Sequence, residues 1–261
     1  MFVRKGFLLV IVAFCQSSVV FAQTNDLGDC DMPSKNCLMF VADELQKVET
    51  HTMQWFSLKL MQLDSLITTK EFSLLKQELS DLGGNVSHPP MFITHLNIYQ
   101  AKLDLIDGNT AQATTLLSQS LQELEQINQA FYSPMRMINI ANLMQSLKQY
   151  QQSLSLLERI ETEFENSKDN YLKLELYGNL GHVHRHLKNY NKALSYYKKS
   201  LQYAIELGVE QQIAVLYEHV GNAYLNTAQS EQAELSYIAA LSHANKDASE
   251  TTITHAKITL A

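Results

Sequence analysis

The stretch that decides the fold is "YGNLGHVHRHLKNYNKALSYYKKSL", residues 177–201, because its pattern recurs 40 residues later in "YEHVGNAYLNTAQSEQAELSYIAAL", residues 217–241. A fixed step of this length is typical of arrays built from helix pairs. The identical positions are Tyr177 and Tyr217, Gly181 and Gly221, Ala193 and Ala233, Tyr197 and Tyr237, and Leu201 and Leu241. No proline follows Pro134, and proline is the main helix breaker, so this region favours helices.

The same step continues toward the N terminus with residue size preserved. Small residues recur in two rows and a large apolar residue in a third: Ala101, Ala141, Gly181 and Gly221; Ala113, Ser153, Ala193 and Ala233; Leu117, Leu157, Tyr197 and Tyr237. Small residues let two helices approach closely while the large ones fill the space between them. Each unit therefore predicts two amphipathic helices with a turn near 107–109, 148–149, 188–189 or 228–229. Gly108 suits a left-handed helix end, and Pro134 suits the first turn of a helix.

This pattern resembles the tetratricopeptide repeat, whose signature is an aromatic, Leu-Gly and Tyr in the first helix, then Ala, an aromatic and Ala in the second. The third and fourth units supply Tyr177, Leu180, Gly181, His184, Ala193, Tyr197, Ser200, and Tyr217, Val220, Gly221, Tyr224, Ala233, Tyr237, Ala240. The 40-residue step exceeds the usual 34 and is similar to the long-helix variety with a recurring Leu-Gly-Asn triplet. "LGH" at 180–182 departs from that triplet. The resemblance covers residues 94–261 and implies an all-α, right-handed α-α superhelical solenoid of antiparallel helix pairs.

The repeat period divides the chain into successive parts. "GGNVSHPP", residues 83–90, is the clearest break, and the helical pattern before it lacks the repeat signature. We expect a signal peptide at 1–22, a leader at 23–37, a helical cap or degenerate repeat at 38–93, four repeats at 94–133, 134–173, 174–213 and 214–253, and part of a fifth repeat at 254–261.

The N terminus has the pattern of a secretory signal. Arg4 and Lys5 precede an apolar run, and Val20 and Ala22 fit the small-residue rule at a cleavage site. We expect cleavage after Ala22 and export to the periplasm or the outside; an uncleaved anchor is the alternative. Removing residues 1–22 changes the formal charge from −7 to −9. This acidity argues against nucleic-acid and anionic-membrane binding, and we expect no membrane insertion of the mature chain.

Two cysteines remain after such cleavage, Cys30 and Cys37, in "CDMPSKNC". In an oxidising compartment this pair predicts a small disulfide loop ahead of the first helix, and Pro33 between them favours a turn. Two free thiols in a leader are the alternative. Their spacing matches neither a redox CxxC motif nor a four-ligand zinc pattern.

The resemblance places one face of each first helix in a concave groove that we expect to bind a protein or peptide. The predicted groove residues are Asn142, Gln145, Glu175, His182, Arg185, His186, Glu218, Asn222 and Asn226. His182 and His186 are four apart and share a helix face, a spacing at which two histidines can hold zinc or copper, with Glu218 as the candidate third ligand. Arg185 disfavours a cation there, and no metal is predicted. A solvated face without a ligand is the other alternative.

The third histidine of the stretch, His184, has a different predicted role. It occupies the register of Met144 and Tyr224, so we expect it in the core with one hydrogen-bonded ring nitrogen.

No motif supports an enzyme or a cofactor. The sequence contains no Walker loop, HExxH or G-x-S-x-G. The predicted function is an exported scaffold that binds a protein or peptide.

"THAKITLA", residues 254–261, matches the first half of another first helix, so we expect a truncated form of a longer protein; a makeshift capping helix is the other interpretation. The resemblance also implies a domain arrangement, since exported tetratricopeptide arrays in Gram-negative bacteria often precede a membrane helix and a diguanylate cyclase or histidine kinase. The alternative function is therefore the periplasmic sensory input module of such a signalling protein.

Overall fold

The computed structural model describes residues 35–83, 88–126 and 133–246, and these ranges contain eleven α-helices. In chain order they are α1 (Lys35–Lys47), α2 (Met53–Thr68), α3 (Phe72–Gly83), α4 (Pro90–Ile106), α5 (Thr110–Gln126), α6 (Pro134–Ser146), α7 (Tyr150–Glu163), α8 (Asn170–His186), α9 (Tyr190–Leu207), α10 (Glu210–Asn226) and α11 (Ser230–Lys246). The described ranges contain no strand. The all-α solenoid class predicted from the repeat is confirmed.

Consecutive helices pack as pairs: α4 with α5, α6 with α7, α8 with α9, and α10 with α11. Each pair is joined by a short turn with a left-handed residue at the same repeat position: Gly108, Lys148, Lys188 and Ala228. In the α6–α7 turn, Lys148 N donates to Gln145 O and Gln149 N donates to Met144 O, at 2.9 and 2.8 Å. This pair of bonds satisfies the last carbonyls of the helix and reverses the chain. The predicted turns are confirmed.

The two rows of small residues lie where the helices meet. Ala113, Ala193 and Ala233 are fully buried, and Ser153 is too because its Oγ donates to Ala141 O at 2.9 Å. The large residue of each unit fills the space opposite, with Leu117, Leu157 and Tyr197 fully buried. Size complementarity within each pair thus follows from the residue pattern alone.

The helix starts follow local capping chemistry. Pro134 is in the first turn of α6, and Ser133 before it accepts from Arg136 N. At the start of α8, Asp169 Oδ1 accepts from Leu172 N at 2.9 Å. Side-chain oxygens at these positions satisfy backbone donors that have no partner within the helix.

The N-terminal helices α1, α2 and α3 continue the stack, since α3 packs against both α2 and α4. Phe56 and Phe92 are buried between them, with ring centroids 4.6 Å apart. Gly83 ends α3 and Pro90 begins α4, so the predicted break at 83–90 separates two helices.

A buried polar network ties these helices to the repeats. Asp64 on α2 accepts from the hydroxyl of Tyr99 on α4 at 2.7 Å and from Nη2 of Arg136 on α6 at 2.7 Å.

Several predictions fall outside the described residues: the signal peptide, Cys30 and the tail at 254–261. Cys37 lies in the first turn of α1, is almost fully buried and is disulfide-bonded. Its pairing with Cys30 stays a prediction. Within the described ranges, no helix combines the length and apolar character that crossing a membrane requires.

Candidate functional site

The first helices of the four repeat pairs, α4, α6, α8 and α10, share a surface that we call the first-helix face. Two repeat positions define it: Lys102, Asn142, His182 and Asn222 at one, and Leu105, Gln145, Arg185 and Leu225 at the other. These positions are three apart on each helix and therefore neighbours on one side of it.

Three residues of this face and their neighbour His186 are joined by hydrogen bonds across α6 and α8, and we call Gln145, His182, Arg185 and His186 the Arg185 cluster. Nδ1 of His182 lies 2.6 Å from Gln145 Oε1. Nη2 of Arg185 lies 3.0 Å from Nε2 of His182 and 2.9 Å from Nε2 of His186. The structure therefore brings together four of the nine predicted groove residues.

The bonds of the cluster fix the protonation of its rings. The amide oxygen of Gln145 can only accept, so Nδ1 of His182 donates and Nε2 is left to accept from Arg185. Burial lowers the pKa of His182 to about 4, and the charge of Arg185 acts in the same direction. Burial and Arg185 also lower the pKa of His186. Both imidazoles are neutral at pH 7, because a ring that protonated would face a guanidinium.

Flanking groups hold the Arg185 cluster in place. Nε2 of Gln145 donates to Oδ1 of Asn179 at 3.2 Å, and Asn179 is itself anchored to the carbonyl of Glu175. The ring of His186 stacks on Tyr150 of α7, with centroids 4.5 Å apart and planes 10° apart. The cluster is thus supported from its own helices and from α7.

Glu175, another predicted groove residue, is held apart from the Arg185 cluster. Its Oε1 accepts from Nε2 of Gln212 on α10 at 3.3 Å. Burial raises the pKa of its carboxyl group. This contact links α8 to α10 and leaves Arg185 to other partners.

The four remaining predicted residues occupy separate places. Asn142 is exposed and lines a shallow concavity together with Lys102 and Asn139. Asn222 accepts from the hydroxyl of Tyr237 at 3.0 Å, so its side chain supports a helix pair. Asn226 lines a second, polar concavity beside Lys188, at the turns. Glu218 is half-buried on α10, and its charge contributes to a raised pKa of Tyr237.

The geometry does not assemble a metal site around the two histidines. Arg185 already donates to Nε2 of both His182 and His186. Across the described ranges, no group of three or more His, Cys, Asp or Glu side chains is placed to hold a metal ion. A metal ion at this pair would have to displace the guanidinium.

Register reasoning missed three neighbours of the Arg185 cluster: Asn179, Tyr150 and His219. Burial, and after it the charge of Arg185, lowers the pKa of His219 on α10 to about 4. His219 also packs its ring against Tyr197, with centroids 5.1 Å apart. Asn179 and His219 lie three residues before His182 and Asn222, so the same helical spacing could have placed them beside the face. Lys102 was missed as well; burial lowers its pKa.

His184 lies in the core as its register predicts, 1% exposed, but the expected hydrogen bond is not found. Both ring nitrogens are buried without a hydrogen-bond partner among the described residues. The ring instead stacks on Tyr196, with centroids 5.4 Å apart and planes 6° apart. Burial lowers its pKa, which keeps the ring neutral. Aromatic stacking therefore replaces the polar contact that we expected.

A stack of helix pairs with this register of small and large residues defines the class: an all-α solenoid of paired helices, a fold similar to that of tetratricopeptide arrays. The family model described as "Tetratricopeptide repeat" matches residues 133–206 and 172–246. The matched segments together cover α6 to α11, which include the two units where the sequence signature is strongest.

Solved structures share the fold at low sequence identity. BtubC (BKLC) from P. vanneervenii is 12% identical with a TM-score of 0.56, and the match covers 81% of this chain and 90% of that one. A Rap protein, solved in complex with Competence and Sporulation Factor, is 12% identical with a TM-score of 0.62, covering 84% of this chain and 62% of that one. The APC/C hetero-tetramer Cut9–Hcn1 gives 15% identity and a TM-score of 0.56, covering 89% and 42%. These likenesses show the fold alone.

No curated protein is similar enough to this sequence to count as a match.

Proposed function

We propose that the protein is an exported interaction scaffold that binds a protein or peptide segment along its first-helix face. The observation that carries this proposal is the Arg185 cluster, which presents a half-buried guanidinium and polar side chains on adjacent first helices. Repeat arrays offer extended surfaces instead of closed pockets, and such surfaces suit extended ligands.

The chemistry of the face suits peptide backbone. Amide and imidazole side chains both donate and accept hydrogen bonds, as backbone amides require. Leu225, at the repeat position of Arg185, is 44% exposed and offers an apolar contact beside the polar ones. A mixed surface of this kind is typical of non-obligate interfaces.

The structural likeness gives further support. The Rap structure of the same fold was solved with Competence and Sporulation Factor bound. The comparisons do not favour the alternative of a sensory input module.

The proposal is tested by selecting peptides that bind the protein from a display library and measuring their affinity for two variants. Asn142→Arg changes an exposed position of the first-helix face, and Gln151→Arg changes an exposed position on α7, a second helix. We expect Asn142→Arg to weaken binding at least about tenfold, because the long cation blocks the face. Gln151→Arg should bind like the parent.

Thermal unfolding of both variants provides the control, since exposed substitutions of this kind should leave the midpoint almost unchanged. Selected peptides that bind the parent and Asn142→Arg equally would place binding elsewhere. No enriched peptide at all would remove the proposed function.

Export is part of the proposal and rests on the charged start, apolar run and small residues of the first 22 residues. Expression in a Gram-negative host with the native leader, followed by osmotic shock, should release a chain that begins at Gln23. A chain retained with its leader intact would contradict cleavage after Ala22.

A further inference from the structure

Glu175 carries a carboxylate that has no cationic partner. None of the ion pairs among the described residues involves it, and its carboxylate accepts one hydrogen bond, from Nε2 of Gln212 to Oε1 at 3.3 Å. The other oxygen, Oε2, has no hydrogen-bond partner in the part of the chain that the structure describes, and it is not one of the fully buried polar atoms there. Glu175 therefore presents one unpaired oxygen that a ligand can reach.

The surroundings of this carboxylate do not compensate its charge. Burial raises the pKa of the Glu175 carboxyl group, and no neighbouring cation acts against that effect. On the same helix, the pKa of Tyr171 is raised first by burial and then by the negative charges of Glu175 and Asp169. Gln212 adds an unsatisfied acceptor, because its Oε1 is buried without a partner among the described residues. Acceptors and negative charge thus meet here without a cation.

The neighbours at the same repeat position are apolar. Glu175 precedes His182 by about two helical turns, so it lies on the same side of α8 as the first-helix face. Met135 on α6 and Val215 on α10 occupy the register of Glu175, and both are half-buried. Since α6 packs against α8, and the bond from Gln212 joins α8 to α10, the carboxylate stands between two apolar residues in the row of first helices.

Such an arrangement costs folding free energy. A partly desolvated carboxylate without a counter-charge is unfavourable relative to a neutral side chain of the same shape. Local arrangements that weaken the fold in this way are expected where a ligand completes them. The missing component is a cation that donates a hydrogen bond to Oε2 of Glu175.

We infer that Glu175 binds the side chain of a lysine or arginine in the segment held on the first-helix face. Both side chains end in a cation with several N–H donors and carry an aliphatic stem. The cation pairs with Oε2 of Glu175, and the stem packs on the apolar residues beside it, Met135 or Val215. The net charge of the chain, −7, also attracts a basic segment. This inference rests on the proposed function and specifies one side chain that the ligand carries.

The neighbouring amides hold the acceptor in place. Nε2 of Gln212, from the next first helix, restrains the carboxylate through Oε1 and leaves Oε2 for the ligand. Nδ2 of Asn179 donates to the backbone carbonyl of Glu175 at 2.9 Å and so restrains the same turn of α8. A group that is held in advance loses little conformational entropy when the ligand arrives.

The test is a peptide-display selection repeated on the parent, Glu175→Gln and Glu158→Gln. Peptides are inserted within the carrier protein, so that every positive charge in them is a side chain. Glu158→Gln is the matched control because Glu158 is an exposed glutamate on α7, a second helix. Urea unfolding of each variant is measured before selection.

We expect the parent and Glu158→Gln to enrich lysine or arginine at one fixed position of the selected peptides. Glu175→Gln should lose that preference and keep the others. Replacing the basic residue of a selected peptide by norleucine, which keeps an aliphatic stem and removes the charge, should weaken binding to the parent about tenfold or more and leave the affinity for Glu175→Gln unchanged. Glu175→Gln should unfold at the same or a higher urea concentration than the parent, because it removes an uncompensated charge.

The outcomes separate this inference from the proposed function. Peptides enriched without a basic preference, or a preference unchanged in Glu175→Gln, would overturn the lysine or arginine site and leave the scaffold intact. A Glu175→Gln variant that unfolds much more easily than the parent would also overturn it, because the carboxylate would then be compensated within the fold. Failure of every protein to enrich peptides would remove both.

Discussion

The ring of Tyr197 packs so closely on Gly181 that a Cβ atom at residue 181 would lie 2.5 Å from Cδ1 of the tyrosine. The next unit repeats the contact, since a Cβ at Gly221 would lie 2.7 Å from Cε1 of Tyr237. The earlier units have alanine where these have glycine, and leucine where these have tyrosine. The two positions therefore divide one fixed volume between them, so that a larger residue at one requires a smaller residue at the other.

This relationship predicts that the effect of Gly181→Ala on the free energy of unfolding changes sign with the residue at position 197. In the parent, the added methyl group overpacks the tyrosine and should cost about 1–3 kcal/mol in the free energy of unfolding. In a Tyr197→Leu background, which reproduces the Ala141 and Leu157 pair of unit two, Gly181→Ala should stabilise, because alanine favours a helix by about 0.5–1 kcal/mol over glycine.

Urea unfolding of the four proteins in this cycle gives the measurement. Gly83→Ala, at the end of α3, is the control, since a Cβ there meets nothing within 4 Å and alanine should therefore not destabilise the fold. A destabilising effect of the same size in both backgrounds would show that the two positions do not share a volume.

A second prediction concerns the buried pair of Asp64 and Arg136. Asp64→Ala leaves a guanidinium, 6% exposed, without its carboxylate and should cost about 3–5 kcal/mol. Lys76→Ala removes one partner of an exposed pair with Asp107 and should cost no more than about 1 kcal/mol. Chemical denaturation measures both. Similar small losses from the two changes would contradict a structural role for the buried pair.

A third prediction follows from the histidines. Burial lowers the pKa of His95 to about 3, and that of His182 and His219 to about 4, from an ordinary value of 6.5. Below pH 6.5 the unfolded chain therefore binds more protons than the folded one. The stability that these neutral rings contribute is fully present above pH 6.5 and is lost as the pH falls toward 4.

Urea midpoints at pH 7.5 and pH 5 test this dependence. His95→Gln removes the ring whose pKa is lowered furthest of the three. The variant should therefore lose less stability between the two pH values, whatever its effect at pH 7.5. At about 1.4 kcal/mol per pKa unit, the difference is measurable. A loss that is unchanged in this variant would show that His95 is protonated equally in both states.

The fourth prediction is that Cys30 is the disulfide partner of Cys37. Closing so short a loop should contribute about 2–3 kcal/mol by restricting the unfolded chain. Alkylation without reduction should label neither residue in the exported chain, and Cys30→Ser should lower the unfolding midpoint as much as a reducing agent does. Labelling of both cysteines in the untreated protein would contradict the bond.

Much of the fold could be predicted because small and large residues recur at one step, and this pattern determines which helices pack. Pro134 and Gly108 predicted a helix start and a turn that the structure contains. Lys148, Lys188 and Ala228 adopt the same left-handed conformation. Because none of them is a glycine, only their repeat position relative to Gly108 could have predicted it.

The candidate site was harder to predict from the sequence than the fold. Register predicted that Gln145, His182 and Arg185 share a face, but their hydrogen bonds depend on side-chain rotamers that spacing does not determine. The contact of Asp64 with Arg136 spans 72 residues and leaves no local pattern. His184 shows the same limit, because its burial followed from register whereas its stacking on Tyr196 depends on a neighbouring helix.

The network of Asp64, Tyr99 and Arg136 has a mechanical consequence. An array held only by contacts between neighbouring helix pairs can extend elastically, because each pair separates from the next independently. Asp64 on α2 is tied directly to both α4 and α6, so the network acts as a non-covalent crosslink over three successive layers. Under tension applied at the two ends, this N-terminal portion would move as one stiff block, and the elastic extension would fall on the layers beyond it.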